Sequence, residues 1–124
     1  MTTIADFKYD IILAGFSLEE FINNLKDENR WSYKPNKELI KNLNRGVENG
    51  NYEFSVVLID SRSFAYNQIT EIIQIKSQNH KLVDFMHLLY LKLSHLIDKY
   101  GDWHCHLKGF KRINDFEYEV ILGS

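Results

Sequence analysis

The sequence predicts an α+β fold, in which a mixed or antiparallel sheet of about five strands is covered on one face by about three helices. Segments with a period of two between apolar residues stand beside segments with helical spacing. These segments follow one another in the order β-α-α-β-β-α-β-β, and no shift in composition marks a second domain. Residues 1–124 are therefore expected to form a single globular domain.

The chain is expected to begin with a strand and a helix. The segment "DFKYDIILAG", from Asp6, alternates between apolar and polar side chains, as a half-buried strand does. Its inward residues are Phe7, Tyr9, Ile11 and Leu13. Ser17 and Glu20 then form a capping box, which predicts the start of a helix. The apolar stripe of this helix is Leu18, Phe21, Ile22 and Leu25.

A second helix and two strands are predicted in the middle of the chain. Asn36 can cap a helix that is expected to finish near Asn49 and Gly50. The segment "NYEFSVVLID" then alternates as a strand, and its residues on one face are Tyr52, Phe54, Val56 and Leu58. Residues 69–76 are rich in β-branched side chains, which favours a strand and leaves a helix as the alternative.

The last third of the chain predicts a long buried helix and a hairpin. From His80 to Tyr100 the apolar residues recur at helical spacing, and Gly101 is suited to end the helix. The hairpin turns around "KRIND", and its second strand, "DFEYEVIL", nearly repeats the opening phrase. Because the residues after the two phrases differ completely, two strands in similar surroundings explain the likeness better than a duplication.

The composition indicates a soluble intracellular protein. Hydrophobic residues make up 44% of the chain and the formal net charge is −2, which argues against a globally basic nucleic-acid binder. The single cysteine fits a reducing compartment, and no segment resembles a signal peptide or a membrane span. We expect a cytoplasmic location. Frequent Asn, Lys and Ile indicate an AT-rich coding genome, such as that of a bacterium or phage.

Residues 30–45, "RWSYKPNKELIKNLNR", combine aromatic and basic side chains. The candidate contact residues are Trp31, Tyr33, Lys37, Lys41 and Arg45. Such a segment could follow a phosphate backbone and stack bases, or it could contact an acidic protein partner. A solvated face of an amphipathic helix is the plain structural alternative.

Acidic residues alternate along the last predicted strand, at Asp115, Glu117 and Glu119. With Asp6 and Asp10 they would form an acidic outer face if the first and last strands were neighbours. Such a face suits a basic partner, for instance a nuclease domain. Solubility and protection against edge-to-edge association are the ordinary alternatives.

The segment "DWHCHLKG" holds the densest group of reactive side chains. On a strand, His104 and His106 would point to one face and Cys105 to the other. The two histidines are weak candidates for a metal site, because a catalytic zinc site normally needs a third protein ligand. No catalytic or cofactor-binding motif is recognisable in the sequence, so we predict no catalytic residue and no cofactor.

A chain that is poor in motifs, rich in aromatic residues and slightly acidic is more typical of a binding protein than of an enzyme. We expect an inhibitor of a protein partner, such as an immunity protein that neutralises a bacterial toxin, for instance a nuclease, by occluding its active site. The alternative is a small RNA- or DNA-binding regulator that uses residues 30–45. A metal-dependent enzyme built on His104 and His106 comes third.

Overall fold

The computed structural model describes residues 4–7, 9, 11–26 and 36–123, and within these ranges it has a five-stranded mixed sheet and three α-helices. The predicted α+β class is therefore confirmed. In chain order the elements are a 3-10 turn (Ile4–Asp6), β1 (Ile11–Ile12), α1 (Leu18–Lys26), α2 (Asn36–Lys41), β2 (Gly50–Asp60), β3 (Asn67–Ser77), α3 (Leu82–Tyr100), β4 (His106–Arg112) and β5 (Glu117–Gly123). This sequence of strands and helices is the predicted one.

The strands lie across the sheet in the order β1-β4-β5-β2-β3. Neighbouring strands are antiparallel, except that β2 and β5 are parallel. The last strand, β5, therefore lies inside the sheet between β4 and β2, and it does not adjoin β1. One edge of the sheet is the 11-residue strand β3, and the other is the two-residue strand β1.

The hairpin of β2 and β3 carries much of the hydrophobic core. The four residues predicted on one face of β2 are exposed by at most 5%: Tyr52, Phe54, Val56 and Leu58. Helix α3 packs on this face, where the ring centroid of Phe85 lies 4.9 Å from that of Tyr52. β3 pairs with β2 along its whole length, which confirms the strand predicted over residues 69–76 and excludes the helix.

Helix α1 starts with the predicted capping box. The backbone N–H of Ser17 donates to Oε1 of Glu20 over 3.1 Å, and the N–H of Glu20 donates to Oγ of Ser17 over 3.2 Å. Phe21 and Leu25 are buried in the core, and the ring of Phe21 lies 4.9 Å from that of Tyr90 on α3. Leu18, the first residue of the predicted stripe, is 38% exposed.

Helix α2 ends at Lys41, so the prediction that it continues to about Asn49 was wrong. The amide side chain of Asn42 donates to the carbonyl of Glu38 over 2.6 Å, and this is the carbonyl that the backbone of Asn42 would use in a longer helix. The residues after Lys41 instead form hydrogen bonds with the start of α3. The backbone N–H of Leu82 donates to the carbonyl of Arg45, and that of Val83 donates to the carbonyl of Leu43.

Helix α3 is the predicted long buried helix, and its nine buried residues face the sheet and α1. Gly101 ends it with a φ of 64° and donates its N–H to the carbonyl of Ile97, as predicted for a left-handed cap. None of the helices in the described part of the chain is long and apolar enough to cross a membrane.

Candidate protein-binding surface

Three large aromatic side chains are exposed together at one end of the sheet. Phe64 is fully exposed, and Tyr66 and Trp103 are 61% and 54% exposed. Phe64 and Tyr66 lie in the loop between β2 and β3, whereas Trp103 lies in the loop between α3 and β4. The rings of Tyr66 and Trp103 meet edge to face with 6.4 Å between their centroids. We call these three residues the aromatic surface.

The β2–β3 loop that presents Phe64 and Tyr66 is held by its own hydrogen bonds. Ser63 donates from its backbone N–H and its Oγ to the carbonyl of Asp60, over 3.4 Å and 3.2 Å. The N–H of Tyr66 donates to the carbonyl of Ser63 over 3.3 Å. Oγ of Ser63 in turn accepts the N–H of Asn67 over 3.2 Å. The turn is thus closed by polar groups, while the aromatic rings point into solvent.

The two loops of the aromatic surface are also bonded to each other. The backbone N–H of Ser61 donates to the carbonyl of Tyr100 over 3.0 Å, and its Oγ donates to the carbonyl of Gly101 over 2.5 Å. A side chain at Gly101 would place its Cβ 2.6 Å from Oγ of Ser61. The close approach of the loops therefore requires a glycine at this position, in addition to the positive φ.

A buried carboxylate makes the second connection between these loops. The side chain of Asp102 is 1% exposed. Its Oδ2 accepts the N–H of Ile59 at the end of β2 over 2.8 Å. Its Oδ1 accepts the N–H of His104 over 2.8 Å and lies 2.9 Å from Nδ1 of the same residue. Because charged acceptors make the stronger hydrogen bonds, Asp102 fixes the α3–β4 loop against the sheet.

Tyr66 has a left-handed backbone conformation, with a φ of 50°. This region is unfavourable for a bulky side chain and costs on the order of 1 kcal/mol. The hydrogen bonds of the loop hold Tyr66 in this conformation, and the result is an exposed ring beside Trp103. Strain of this kind is common at binding sites.

The end of α3 beneath the aromatic surface is tied to the edge strand. The hydroxyl of Tyr100 donates a short hydrogen bond to Oε1 of Glu71 on β3. This bond raises the pKa of Tyr100, and desolvation adds to the effect. The hydroxyl therefore stays a donor to higher pH than that of an ordinary tyrosine, and the bond anchors α3 to β3.

The predicted basic and aromatic segment is only partly described. Trp31 and Tyr33 lie outside the described residues, so their prediction stays open. Lys37 and Lys41 are exposed on α2, where Nζ of Lys41 lies 3.4 Å from a carboxylate oxygen of Glu38. Arg45 lies beyond the end of α2, so it does not share a helix face with Lys37 and Lys41.

Arg45 instead lines a cavity of about 850 Å³ between the 3-10 turn, the α2–β2 connection and the β4–β5 hairpin. Asp115 and Arg112 line the same cavity and are ion-paired with each other. Asp6 and Glu48 add two further acids to its wall. Two predicted contact residues, Arg45 and Asp115, are therefore brought to one mixed-charge cavity, which no sequence pattern indicated.

The predicted acidic face has a different composition from the expected one. The condition for that face, that the first and last strands are neighbours, is not met, because β4 separates them, and Asp10 lies outside the described residues. Asp115 belongs to the hairpin turn, whereas Glu117 and Glu119 lie on the outer side of β5. Glu53 of β2 lies directly opposite Glu117. The outer acidic group therefore consists of Glu53, Glu117 and Glu119.

His104 and His106 also differ from the predicted arrangement, in which both lie on one strand. β4 begins at His106, so His104 lies in the preceding loop and the expected strand alternation does not apply to it. Nδ1 of His104 is engaged with Asp102. Across the described ranges, no group of three or more His, Cys, Asp or Glu residues is arranged to hold a metal ion.

None of the three residues of the aromatic surface was among the contact residues predicted from the sequence. The segment "SRSFAYNQ" places two aromatic residues in an otherwise polar connection between two strands. Aromatic residues in such a turn have little core to enter, and this pattern was the available indication that they are exposed.

This chain matches no protein-family model, no curated protein and no solved structure. Its function therefore has to be inferred from its own residues and their geometry.

Proposed function

We propose that this protein is an inhibitor that binds a protein partner and occludes its active site, with the aromatic surface as the principal contact. The observation that carries the proposal is the joint exposure of Phe64, Tyr66 and Trp103 on two loops that are bonded to each other. Tyr and Trp dominate the energetically important residues of protein interfaces. Loops that are already fixed lose less conformational entropy on binding.

The outer acidic group supports a cationic partner. Glu53 and Glu117 lie directly opposite each other on neighbouring strands, and Glu119 lies opposite Lys111 of β4. Like charges in directly opposite positions destabilise a sheet. The juxtaposition of Glu53 and Glu117 therefore favours a role in binding over one in stability, whereas Glu119 is balanced by Lys111. A nuclease toxin, whose active-site cleft is basic, has the complementary charge, and an immunity protein would act in this way.

A nucleic-acid-binding regulator is the competing proposal, and the described part of residues 30–45 gives it less support. Lys41 is paired with Glu38, and Arg45 shares a cavity with Asp115. Acids beside these cations reduce the positive potential that a phosphate backbone needs.

The test is affinity capture from a lysate of the host, with wild-type protein and single variants as bait. We expect one protein to be retained at moderate salt by the wild type. Trp103→Ala and Tyr66→Ala should weaken retention by about tenfold or more, as interface aromatics do. Val57→Ala and Ile113→Ala are matched controls, because these apolar residues are 48% and 45% exposed elsewhere on the surface.

The captured protein is then assayed for its own activity while inhibitor is added. Complete inhibition at a stoichiometric ratio is the expected result. Equal capture by the aromatic variants and the controls would refute the role of the aromatic surface. Nucleic acid that is retained at low salt and lost in Lys37→Glu would favour the regulator instead.

A further inference from the structure

The edge strand β3 is open to pairing along its whole length. Its 11 residues, Asn67–Ser77, pair with β2 on one side, and within the described residues no strand lies on the other. The register with β2 is continuous, without a bulge, and the strand contains no proline. Proteins commonly protect edge strands with bulges, prolines or several charges, whereas β3 has only Glu71 and Lys76.

The hydrogen bonds of β2 show which backbone groups of β3 point outward. The N–H of Glu53 donates to Phe116, on the β5 side of β2. Since successive residues of a strand direct their polar groups to opposite sides, Phe54 bonds to the β3 side, where its partner is Ile73. Ile73 therefore points toward β2 and Ile72 points away from it. The outward residues of β3 are Gln68, Thr70, Ile72, Gln74 and Lys76.

We propose that a second copy of this chain pairs with this edge, in an antiparallel dimer whose two-fold axis passes through Ile72. Ile72 is the midpoint of β3, so this register pairs the two strands over their full length. Every outward N–H and carbonyl from Gln68 to Lys76 then has a partner, and no two like charges face each other. A two-fold axis through Glu71 would instead place the two copies of this carboxylate directly opposite each other, which is unfavourable.

A groove beside the edge supplies an apolar contact at the same place. It has a volume of about 380 Å³ and lies between α3 and the centre of β3. Leu88 and Leu91 of α3 line it and are 36% and 38% exposed, and Ile72 of β3 borders it, 51% exposed, with its side chain on the face of the sheet opposite α3. These partly exposed aliphatic side chains on both sides of the edge gain stability when a second copy covers them.

The charges along the groove complement those of a second copy. In the proposed register, Glu71 of one copy lies opposite Ile73 of the other, on the face that carries the helices. Lys92 and His95 line the groove on that face. Each groove would then hold Glu71 of its own chain, which accepts a hydrogen bond from the hydroxyl of Tyr100, and Glu71 of the second copy, both beside Lys92 and His95, and the two-fold axis repeats this arrangement.

The dimer goes beyond the proposed function and does not depend on it, because it uses a different surface. Tyr66 lies six positions before Ile72, so the two aromatic surfaces of a dimer would be roughly 40 Å apart, at a rise of about 3.3 Å per residue. Each could then bind one partner molecule without obstruction by the other.

The test is the mass of the purified full chain in solution, measured by sedimentation equilibrium over a range of concentrations. The wild type should be a dimer that dissociates on dilution. Ile72→Lys places two ammonium groups at the axis and should raise the dissociation constant about a hundredfold or more. Val57→Lys adds the same charge to the outer face of the interior strand β2, and this control should remain a dimer.

Thr70→Pro is an independent variant. It removes an N–H that points away from β2, so it preserves the pairing within the monomer and should dissociate the dimer. Circular dichroism confirms that each variant is folded. A wild type that stays monomeric would overturn the proposal, even if β3 binds a strand of another protein. A dimer that persists in both edge variants, or that is lost equally in Val57→Lys, would also overturn it.

Discussion

Replacing Asp102 with alanine should destabilise the protein substantially and release the loops of the aromatic surface. The carboxylate, which is 1% exposed, accepts hydrogen bonds from the backbone N–H groups of Ile59 and His104, each with a length of 2.8 Å. A net hydrogen bond to a charged group contributes about 1.5–3 kcal/mol, and a buried donor left without a partner costs about 1–3 kcal/mol. Both hydrogen bonds are part-buried, so water can replace each of them in part. We therefore expect the free energy of unfolding to fall by about 3 kcal/mol.

The assay is urea unfolding followed by circular dichroism, with binding of the partner measured on the folded variant. Asp102→Asn keeps one acceptor oxygen, so it should lose about half as much stability as Asp102→Ala. Asp98→Ala is the matched control, because it removes an exposed acid near the same end of α3 and should change stability by about 0.5 kcal/mol or less. A loss in Asp102→Ala no larger than that of the control would refute the bracing role.

Three further results are expected. Gly101→Ala should lower the free energy of unfolding by about 2 kcal/mol or more, since its Cβ would lie 2.6 Å from Oγ of Ser61. Gly15→Ala is the control for backbone strain alone. Gly15 also has a positive φ, +63°, but a Cβ there would lie 3.8 Å from its nearest atom, Oγ of Ser94. Ser17→Ala should cost about 1 kcal/mol through loss of the α1 cap, and a neutral effect by thermal unfolding would contradict it. Desolvation raises the pKa of Tyr52 from 10.0 to about 12, so its contribution to stability is complete below pH 10 and is lost as the pH rises through 12. Urea unfolding on both sides of this range should show a weaker decline in Tyr52→Phe, and an equal decline would contradict the assignment.

Much of the fold was predictable because local chemistry and burial agree along most of the chain. The capping box of Ser17 and Glu20, the alternation in β2 and the glycine cap of α3 each form as their residues predict. The length of α2 was not predictable, because the segment after Lys41 forms tertiary hydrogen bonds with the start of α3. A sequence window contains no information about such a distant partner.

The candidate site was less predictable for the same reason. Trp103 lies in the segment "DWHCHLKG", which was considered for its histidines and cysteine, and its neighbour Tyr66 comes from another loop. Asp102 joins the α3–β4 loop to the end of β2 through a bond to Ile59. Arg45 and Asp115 were selected for separate patterns, and only the fold brings them to one cavity. The sequence indicated two residues of the cavity, Arg45 and Asp115, and none of the aromatic surface, because both groupings depend on contacts between distant segments.

The two similar phrases at the ends of the chain show this division most clearly. The alternation in both determined which side chains face the core: Tyr9 and Ile11 in the first and Tyr118 in the second are buried. The tertiary structure decided how each segment is paired. The first forms only the two-residue edge strand Ile11–Ile12, whereas the second forms the seven-residue strand Glu117–Gly123 between β4 and β2. An alternating pattern specifies a buried face, but hydrogen-bonding partners are supplied by whichever strands the rest of the chain places alongside.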